Sequence, residues 1–353
     1  MPWRSEGRGA NSIKMKKLNV LYLPPPLLPG NPWGRDIIEV IKPPHELRLY
    51  SRELPLGPQF AWAEVGIDFG GVMGTREMAD VAGGIKLWQV LGNGIDQFDL
   101  EYWRSKNVPV ANCPGHLTGV PLAECAFMLM LMLSRQWHEI QRNLQSGLLN
   151  LPLGNELAGK VLGIIGFGAA GRELARRAVA FGMRIQAIDI REISADERRD
   201  FGIEFAAGPE KMDQVMAAAD YVSVHLHLTE ETRHILDERR IRLMKPAAFL
   251  INVSRGGLVD SDALVRCLRA GQLAGAGLDV TDPEPINPDH PLLQMPNVFV
   301  TNHIAGNTYG TWRRRAAFAA ENVNRVAEGL KPLALINQRS DVLSRPSSAL
   351  AKP

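Results

Sequence analysis

Three side chains in the second half of the chain, Arg255, Glu284 and His303, have the types needed to handle a carbonyl compound. An imidazole titrates near neutrality, so it can give a proton or take one back. A carboxylate beside it favours the charged ring, and a guanidinium supplies a fixed cation. Ahead of all three stands the loop Gly166-Phe167-Gly168-Ala169-Ala170-Gly171. A cation, a carboxylate-tuned imidazole and a dinucleotide site are together what hydride transfer to or from a carbonyl requires.

The glycine loop has the context such a site needs, since it follows the apolar run Val161–Ile165 and opens a helical segment. Gly166 permits the tight turn, Gly168 lets backbone approach a pyrophosphate, and Gly171 lets the helix pack on the strand. Ala169 and Ala170 place amides at the helix N-terminus, whose partial positive charge attracts phosphate. Asp189 closes the next strand-like run, eighteen residues after Gly171. A carboxylate there accepts from ribose hydroxyls and repels a 2′-phosphate, which points to NAD rather than NADP. Arg191, two residues on, works against that repulsion.

The elements that must carry these residues alternate. Val161–Ile165, Arg184–Asp189, Tyr221–His225, Phe249–Val253, Gly275–Val280 and Val298–Thr301 read as short buried strands. Helices are expected over Gly171–Phe181, Glu210–Ala219, Asp237–Met244 and Ser261–Ala270, the last capped by Asp260 or Ser261 and stopped by Gly271. Strands separated by helices predict an α/β, doubly wound parallel sheet of Rossmann type. Arg255, Glu284 and His303 each follow a strand, so they fall on the sheet edge that also bears the glycine loop.

A second, smaller α/β unit is expected from Leu18–Leu23, Gly70–Met73, Leu87–Leu91 and Val108–Ala111. The expected divisions are a disordered extension or mis-set start over 1–14, a substrate domain over 15–118 and 308–337, a nucleotide domain over 119–307, and a frayed tail over 338–353. A helix from Pro121 to Trp137 joins the two blocks. Over Leu122–Leu133 it is apolar on nearly every side, so all its faces need cover. A place in the core answers that need, and so does a homodimer contact through this region.

A net charge of +2 and the lack of a basic cluster beyond Arg313-Arg314-Arg315 argue against a nucleic-acid partner. The longest apolar run, Ala126–Leu133, is far short of the ~20 residues a membrane span needs. Cys113, Cys125 and Cys267 are odd in number and lack zinc spacing, which predicts a reducing, cytoplasmic setting and no metal.

Gly166–Gly171 with Asp189, N-x-x-R-G-x-x-V-D over Asn252–Asp260, L-D-V-x-x-x-E-P over Leu278–Pro285 and His303-Ile304-Ala305-Gly306 resemble the D-isomer-specific 2-hydroxyacid dehydrogenases. Gly92-Asn93-Gly94-Ile95-Asp96 and Asn112-Cys113-Pro114-Gly115 resemble the substrate-domain signatures of that family. The resemblance runs from about residue 85 to residue 310. It implies that His303 exchanges a proton with the substrate oxygen, that Glu284 holds the ring, and that Arg255 pairs with the substrate carboxylate. It implies a second carboxylate cradle at the Asn93 and Gly94 amides, and nicotinamide contacts at Asp279 and the Val253 backbone. The two domains would close over the cofactor and exclude water. His227 and Asn302 stand where family members usually carry proline, and Gly115–Gly119 differs from the usual loop by an extra residue. Val72-Met73-Gly74 stands where members acting on phosphorylated substrates tend to carry a basic residue, which disfavours a phosphate group, and the unusual loop Pro24–Trp33 leaves substrate choice open. The expected activity is NAD-dependent interconversion of a small D-2-hydroxy acid and a 2-oxo acid, glyoxylate- or hydroxypyruvate-like. Alternatives are a non-catalytic NAD sensor on the same fold and a phosphite- or formate-type dehydrogenase.

Overall fold

A computed structural model describes residues 16–24, 35–41, 44–70, 73–96 and 98–337. The expected extension over 1–14, the tail over 338–353, Val72 and most of the Pro24–Trp33 loop lie outside the described residues. Among those described, the chain divides into two compact units, one of residues 16–113 with 312–337 and the other of residues 114–311.

The first unit is a five-stranded sheet in the order β2-β1-β3-β4-β5, every neighbour parallel. Its strands are β1 (Asn19–Leu23), β2 (Glu46–Leu49), β3 (Val65–Asp68), β4 (Leu87–Val90) and β5 (Val110–Ala111). Helices α1 (Arg35–Ile41), α2 (Leu56–Trp62), α3 (Arg76–Val81) and α4 (Leu100–Ser105) connect them. The strand expected at Gly70–Met73 lies instead at Val65–Asp68. Two residues disguise it: Gly66, where a Cβ would lie 2.4 Å from the buried Trp88 ring, and Asp68, a fully buried acid. The Asp68 carboxylate accepts from the Gly70 and Gly74 amides, each at 3.1 Å, and turns the chain out of the sheet.

In the second unit, α5 (Gly119–Ser134) and α6 (Trp137–Gln145) precede a seven-stranded parallel sheet in the order β12-β11-β10-β9-β6-β7-β8. The strands are β6 (Val161–Ile165), β7 (Arg184–Ile188), β8 (Ile203–Ala207), β9 (Tyr221–Val224), β10 (Phe249–Asn252), β11 (Gly275–Leu278) and β12 (Val298–Val300). Helices α7 (Ala169–Ala180), α8 (Ala195–Asp200), α9 (Met212–Ala218), α10 (Glu238–Ile241) and α11 (Ser261–Arg269) link them, and α12 (Tyr309–Ala327) follows β12. Strands β6, β9, β10 and β11 are buried along their whole length, which is why they read as continuous apolar runs. The order reverses at β6, which pairs with β7 on one side and β9 on the other. Ligands bind outside the carboxyl ends of strands at such a switch point.

The apolar helix α5 is covered largely from within its own unit, where Ala123, Ala126, Leu129 and Met130 are fully buried. Glycines let it and its neighbours come close. A Cβ on Gly277 would lie 2.8 Å from that of Leu129, and one on Gly119 would lie 3.1 Å from the Ala169 backbone. The helix expected to reach Trp137 ends at Ser134, because Gln136 takes a left-handed backbone (φ 53°) and starts α6 in a new direction. Val120 and Met128 remain exposed on α5, as do Trp137 and Leu144 on α6.

From Trp312 onward α12 belongs to the first unit. Trp312, Ala316, Ala319 and Val323 join its core beside Leu18, Val20 and Ile67. A buried amide pair pins the helix, Asn322 Nδ2 donating to Gln89 Oε1 at 2.7 Å. Asn337 then caps the sheet edge: its Oδ1 accepts from Val110 N at 2.9 Å and its Nδ2 donates to Val108 O at 2.6 Å. No helix among the described residues is long and apolar enough to cross a membrane.

Candidate active site

The glycine loop leaves β6 at its carboxyl end and runs into α7, and two of its glycines are sterically required. Gly166 has φ +98°, and a Cβ there would lie 2.4 Å from His225 O. A Cβ on Gly171 would lie 2.4 Å from Gly166 O, so the helix can approach the strand only without one. Gly168, the α7 N-cap, has open space where its Cβ would be. The Ala169 and Ala170 amides follow in the first turn of α7. Phe167 is buried and packs edge-on against Phe201 at 5.4 Å, anchoring the loop from below.

Asp189 follows β7 and ties the two elements together. Its Oδ2 accepts from the Phe167 amide at 2.7 Å and its Oδ1 from the Arg191 amide at 2.8 Å. A carboxylate has about four acceptor sites, so these two bonds leave capacity for ribose hydroxyls. The open glycine, the helix-start amides and the acid fit the pyrophosphate and ribose of a dinucleotide.

Arg255 sits beyond β10 in a turn built by its neighbours. Asn252 Nδ2 donates to Arg255 O at 2.8 Å, and Ser254 Oγ donates to Val224 O at 2.8 Å. Gly256 lets this turn meet the next one, because a Cβ there would overlap the Thr281 carbonyl carbon and oxygen. The Arg255 guanidinium donates to Ser254 O at 2.7 Å and is half-buried. Val253 is buried between these turns.

His303 and Glu284 are hydrogen-bonded, with Nδ1 at 3.0 and 3.1 Å from the two carboxylate oxygens. A proton on Nδ1 therefore has its acceptor, which leaves Nε2 for a ligand. The Glu284 hydrogen bond pushes the His303 pKa above the ordinary imidazole value. Burial and the Arg255 charge oppose that rise. His303 has φ +59°, a left-handed backbone that is uncommon outside glycine.

Asp279 holds that backbone, a role that its place in the sequence did not reveal. This buried acid follows β11, and its main-chain carbonyl accepts from His303 N at 2.8 Å. Its Oδ1 accepts from Ile304 N at 2.9 Å and Thr301 Oγ1 at 2.5 Å, and its Oδ2 from Ala305 N at 2.8 Å. The acid upstream of the histidine thus fastens the whole histidine turn. The signal was present as an acid closing an otherwise apolar strand, a residue type that stays buried only with partners.

His225 also lies at a strand end. Its Nε2 is 2.9 Å from Ser223 Oγ, its Nδ1 is sealed without a partner, and burial pushes its pKa down to about 4. His227 is exposed, and its carbonyl accepts from Thr232 Oγ1. In the first unit, Asn93 Nδ2 donates to Cys113 O at 3.0 Å and Asn112 Nδ2 donates to Asn93 O at 2.7 Å, which fixes the Gly92–Gly94 turn. Cys113 is buried and its thiol is pushed up to about 12, so it is a packing residue rather than a nucleophile.

A glycine loop opening a helix at the switch point of a doubly wound parallel sheet is the framework of a dinucleotide-binding domain. The family described as D-isomer specific 2-hydroxyacid dehydrogenase, NAD binding domain, matches residues 127–305. A glyoxylate reductase of Korarchaeum cryptofilum is 38% identical over 251 residues, 69% of this chain and 74% of that protein. The crystal structure of a glyoxylate reductase from Paecilomyes thermophila superposes with a TM-score of 0.76 at 26% identity, covering 91% of this chain and 98% of that one. A D-lactate dehydrogenase from Aquifex aeolicus, complexed with NAD and lactic acid, gives 0.74 at 27% identity over 88% and 96%. The chain belongs to the D-isomer-specific 2-hydroxyacid dehydrogenase family and is an NAD-dependent oxidoreductase acting on a CH–OH group.

Proposed function

We propose that the chain reduces a small 2-oxo acid, glyoxylate- or hydroxypyruvate-like, to the D-2-hydroxy acid, with Arg255, Glu284 and His303 as the catalytic residues. The observation that carries this reading is the His303–Glu284 hydrogen bond, made on the sheet edge that holds the glycine loop and Arg255. NAD, when bound, supplies or accepts the hydride. Gly166, Phe167, Gly168, Ala169, Ala170 and Gly171 would hold its phosphates, Asp189 its adenosine ribose, and the Val253 backbone and Asp279 its nicotinamide end. His303 Nε2 would give its proton to the carbonyl oxygen as that oxygen gains charge, while Glu284 stabilises the imidazolium. Arg255 would grip the substrate carboxylate and polarise the carbonyl. The Asn93 and Gly94 amides would form a carboxylate cradle.

The substrate size follows the relatives named glyoxylate reductase. Following NADH absorbance across a panel of 2-oxo acids tests it, and a preference for phosphorylated or long-chain acids would refute it. His303→Ala should lower kcat by at least about a hundredfold, the usual range for losing a general acid, while NADH still binds. Full turnover in that variant would remove the mechanism. Exposed Val120, Met128, Trp137, Leu144, Leu149 and Leu153 support a homodimer through the Leu122–Leu133 region and the segment after it. Light scattering that returns a monomer mass would reject the dimer. A cytoplasmic setting accords with three free, buried cysteines.

A further inference from the structure

We propose that Glu197 sets the dinucleotide preference of this site by occupying the Arg191 guanidinium, which would otherwise receive a 2′-phosphate. The proposal rests on the reading of Asp189 as the ribose-binding acid. Arg191 lies two residues past that acid, close enough to neutralise a phosphate that Asp189 would repel. Both of its terminal nitrogens are already engaged. Nη1 donates to Glu197 Oε2 at 2.7 Å and to Glu192 O at 2.8 Å, and Nη2 donates to Glu197 Oε1 at 3.0 Å. This two-pronged pairing is the strongest geometry available to an arginine and a carboxylate. Arg172, from the first turns of α7, donates to the same Glu197 Oε1 at 2.6 Å. One glutamate therefore holds two cations.

The neighbouring pocket shows what this leaves for a ligand. It is lined by Asp189–Ile193, Arg198 and Ala206–Gly208. Arg198 is spent on main-chain carbonyls, donating to Ala206 O at 3.1 Å and Ile193 O at 3.3 Å. Asp189 and Glu197 together balance Arg191 and Arg172, so a phosphate dianion entering here would meet only cations already engaged. With Glu197 neutral, two guanidinium groups would be released beside the pocket. The glutamate also completes the capping box of α8, accepting from Ser194 N at 3.2 Å while Ser194 Oγ accepts from its amide. That role explains its place but not its charge, because glutamine serves equally in a capping box. Glu197→Gln thus separates the two functions. Arg191 and Arg172 hold the Glu197 carboxyl down to about 2, so it stays charged throughout the neutral range.

The test is the NADPH:NADH ratio, read both as kcat/KM with glyoxylate and as Kd from nucleotide fluorescence. In Glu197→Gln this ratio should rise by about tenfold, the size expected of one new charge-assisted hydrogen bond to the phosphate. In Glu197→Gln/Arg191→Ala the gain should vanish. In Arg191→Gln alone the ratio should not rise, because Glu197 then stays paired with Arg172 and no cation is released for the phosphate. A folded Glu197→Gln protein with an unchanged ratio would overturn the proposal. So would a gain that survives loss of Arg191, or a rise in the ratio in Arg191→Gln, which needs no change at the α8 cap. Asp189→Asn separates this failure from failure of the underlying reading: if NADH binding ignores that substitution, Asp189 is not the ribose acid and the proposal falls with it.

Discussion

The proton affinity of His303 is raised first by Glu284, then lowered in part by burial and by Arg255. A raised value keeps the imidazolium populated to higher pH than an ordinary histidine, so 2-oxo acid reduction should persist above the usual titration range and fall off later. Glu284→Gln removes the carboxylate charge and leaves the Arg255 charge acting on the ring. The falling limb of the reduction profile should then move to lower pH, and kcat should drop by about tenfold or more. Profiles of kcat/KM against pH check this, and an unmoved limb would show that Glu284 does not tune the ring. The same shift acts on stability. It favours the fold below the ordinary imidazole pKa, and the contribution is lost as pH rises through the raised value. At this scale much was legible: the residue types and their strand-end positions foretell that Arg255, Glu284 and His303 share one edge. The Asp279 clamp and the Glu197 pairing were not, because both depend on which turns come to touch.

Among the elements, the turn after β12 is held by four bonds to Asp279, one to its main chain and three to its carboxylate. Asp279→Ala would leave the buried Ala305 amide without its acceptor, at about 1–3 kcal/mol, and would free the part-buried Ile304 amide and Thr301 hydroxyl as well. The variant should therefore melt early and lose kcat well beyond any loss in NADH affinity. Equal losses in both would argue that the acid acts on the nucleotide alone. Gly171→Ala makes the complementary case. Its Cβ would meet Gly166 O at 2.4 Å, a backbone atom with nowhere to go, so α7 must lift from β6 and NADH binding should weaken by more than about tenfold. Isothermal titration checks it. The buried strands of the second sheet were readable because both faces are covered. The edge strand β8 was not foreseen, since only Ile203 along it is buried and a half-wet edge gives no continuous apolar run. Helix α5 was foreseen but not its end, because Gln136 is not a residue that announces a left-handed turn.

For the whole molecule, the first unit is stitched from two stretches of chain far apart in sequence, and buried amides make the seam. Asn322→Ala would leave Gln89 Oε1 and the Leu333 amide without their partner, and about 1–3 kcal/mol of stability should be lost. Chemical denaturation measures it, and a neutral result would mean that water replaces the asparagine. NADH at a hundred times its Kd should raise the unfolding free energy by about 2.7 kcal/mol. The seam also sets a schedule for biosynthesis. Residues 114–311 emerge from the ribosome as a contiguous block and can fold on emergence, whereas strands β1–β5 must wait, with one side of their core uncovered, until Trp312–Asn337 has been made. The part of the nascent protein translated first is thus the part finished last, and it is there that chaperones would be needed.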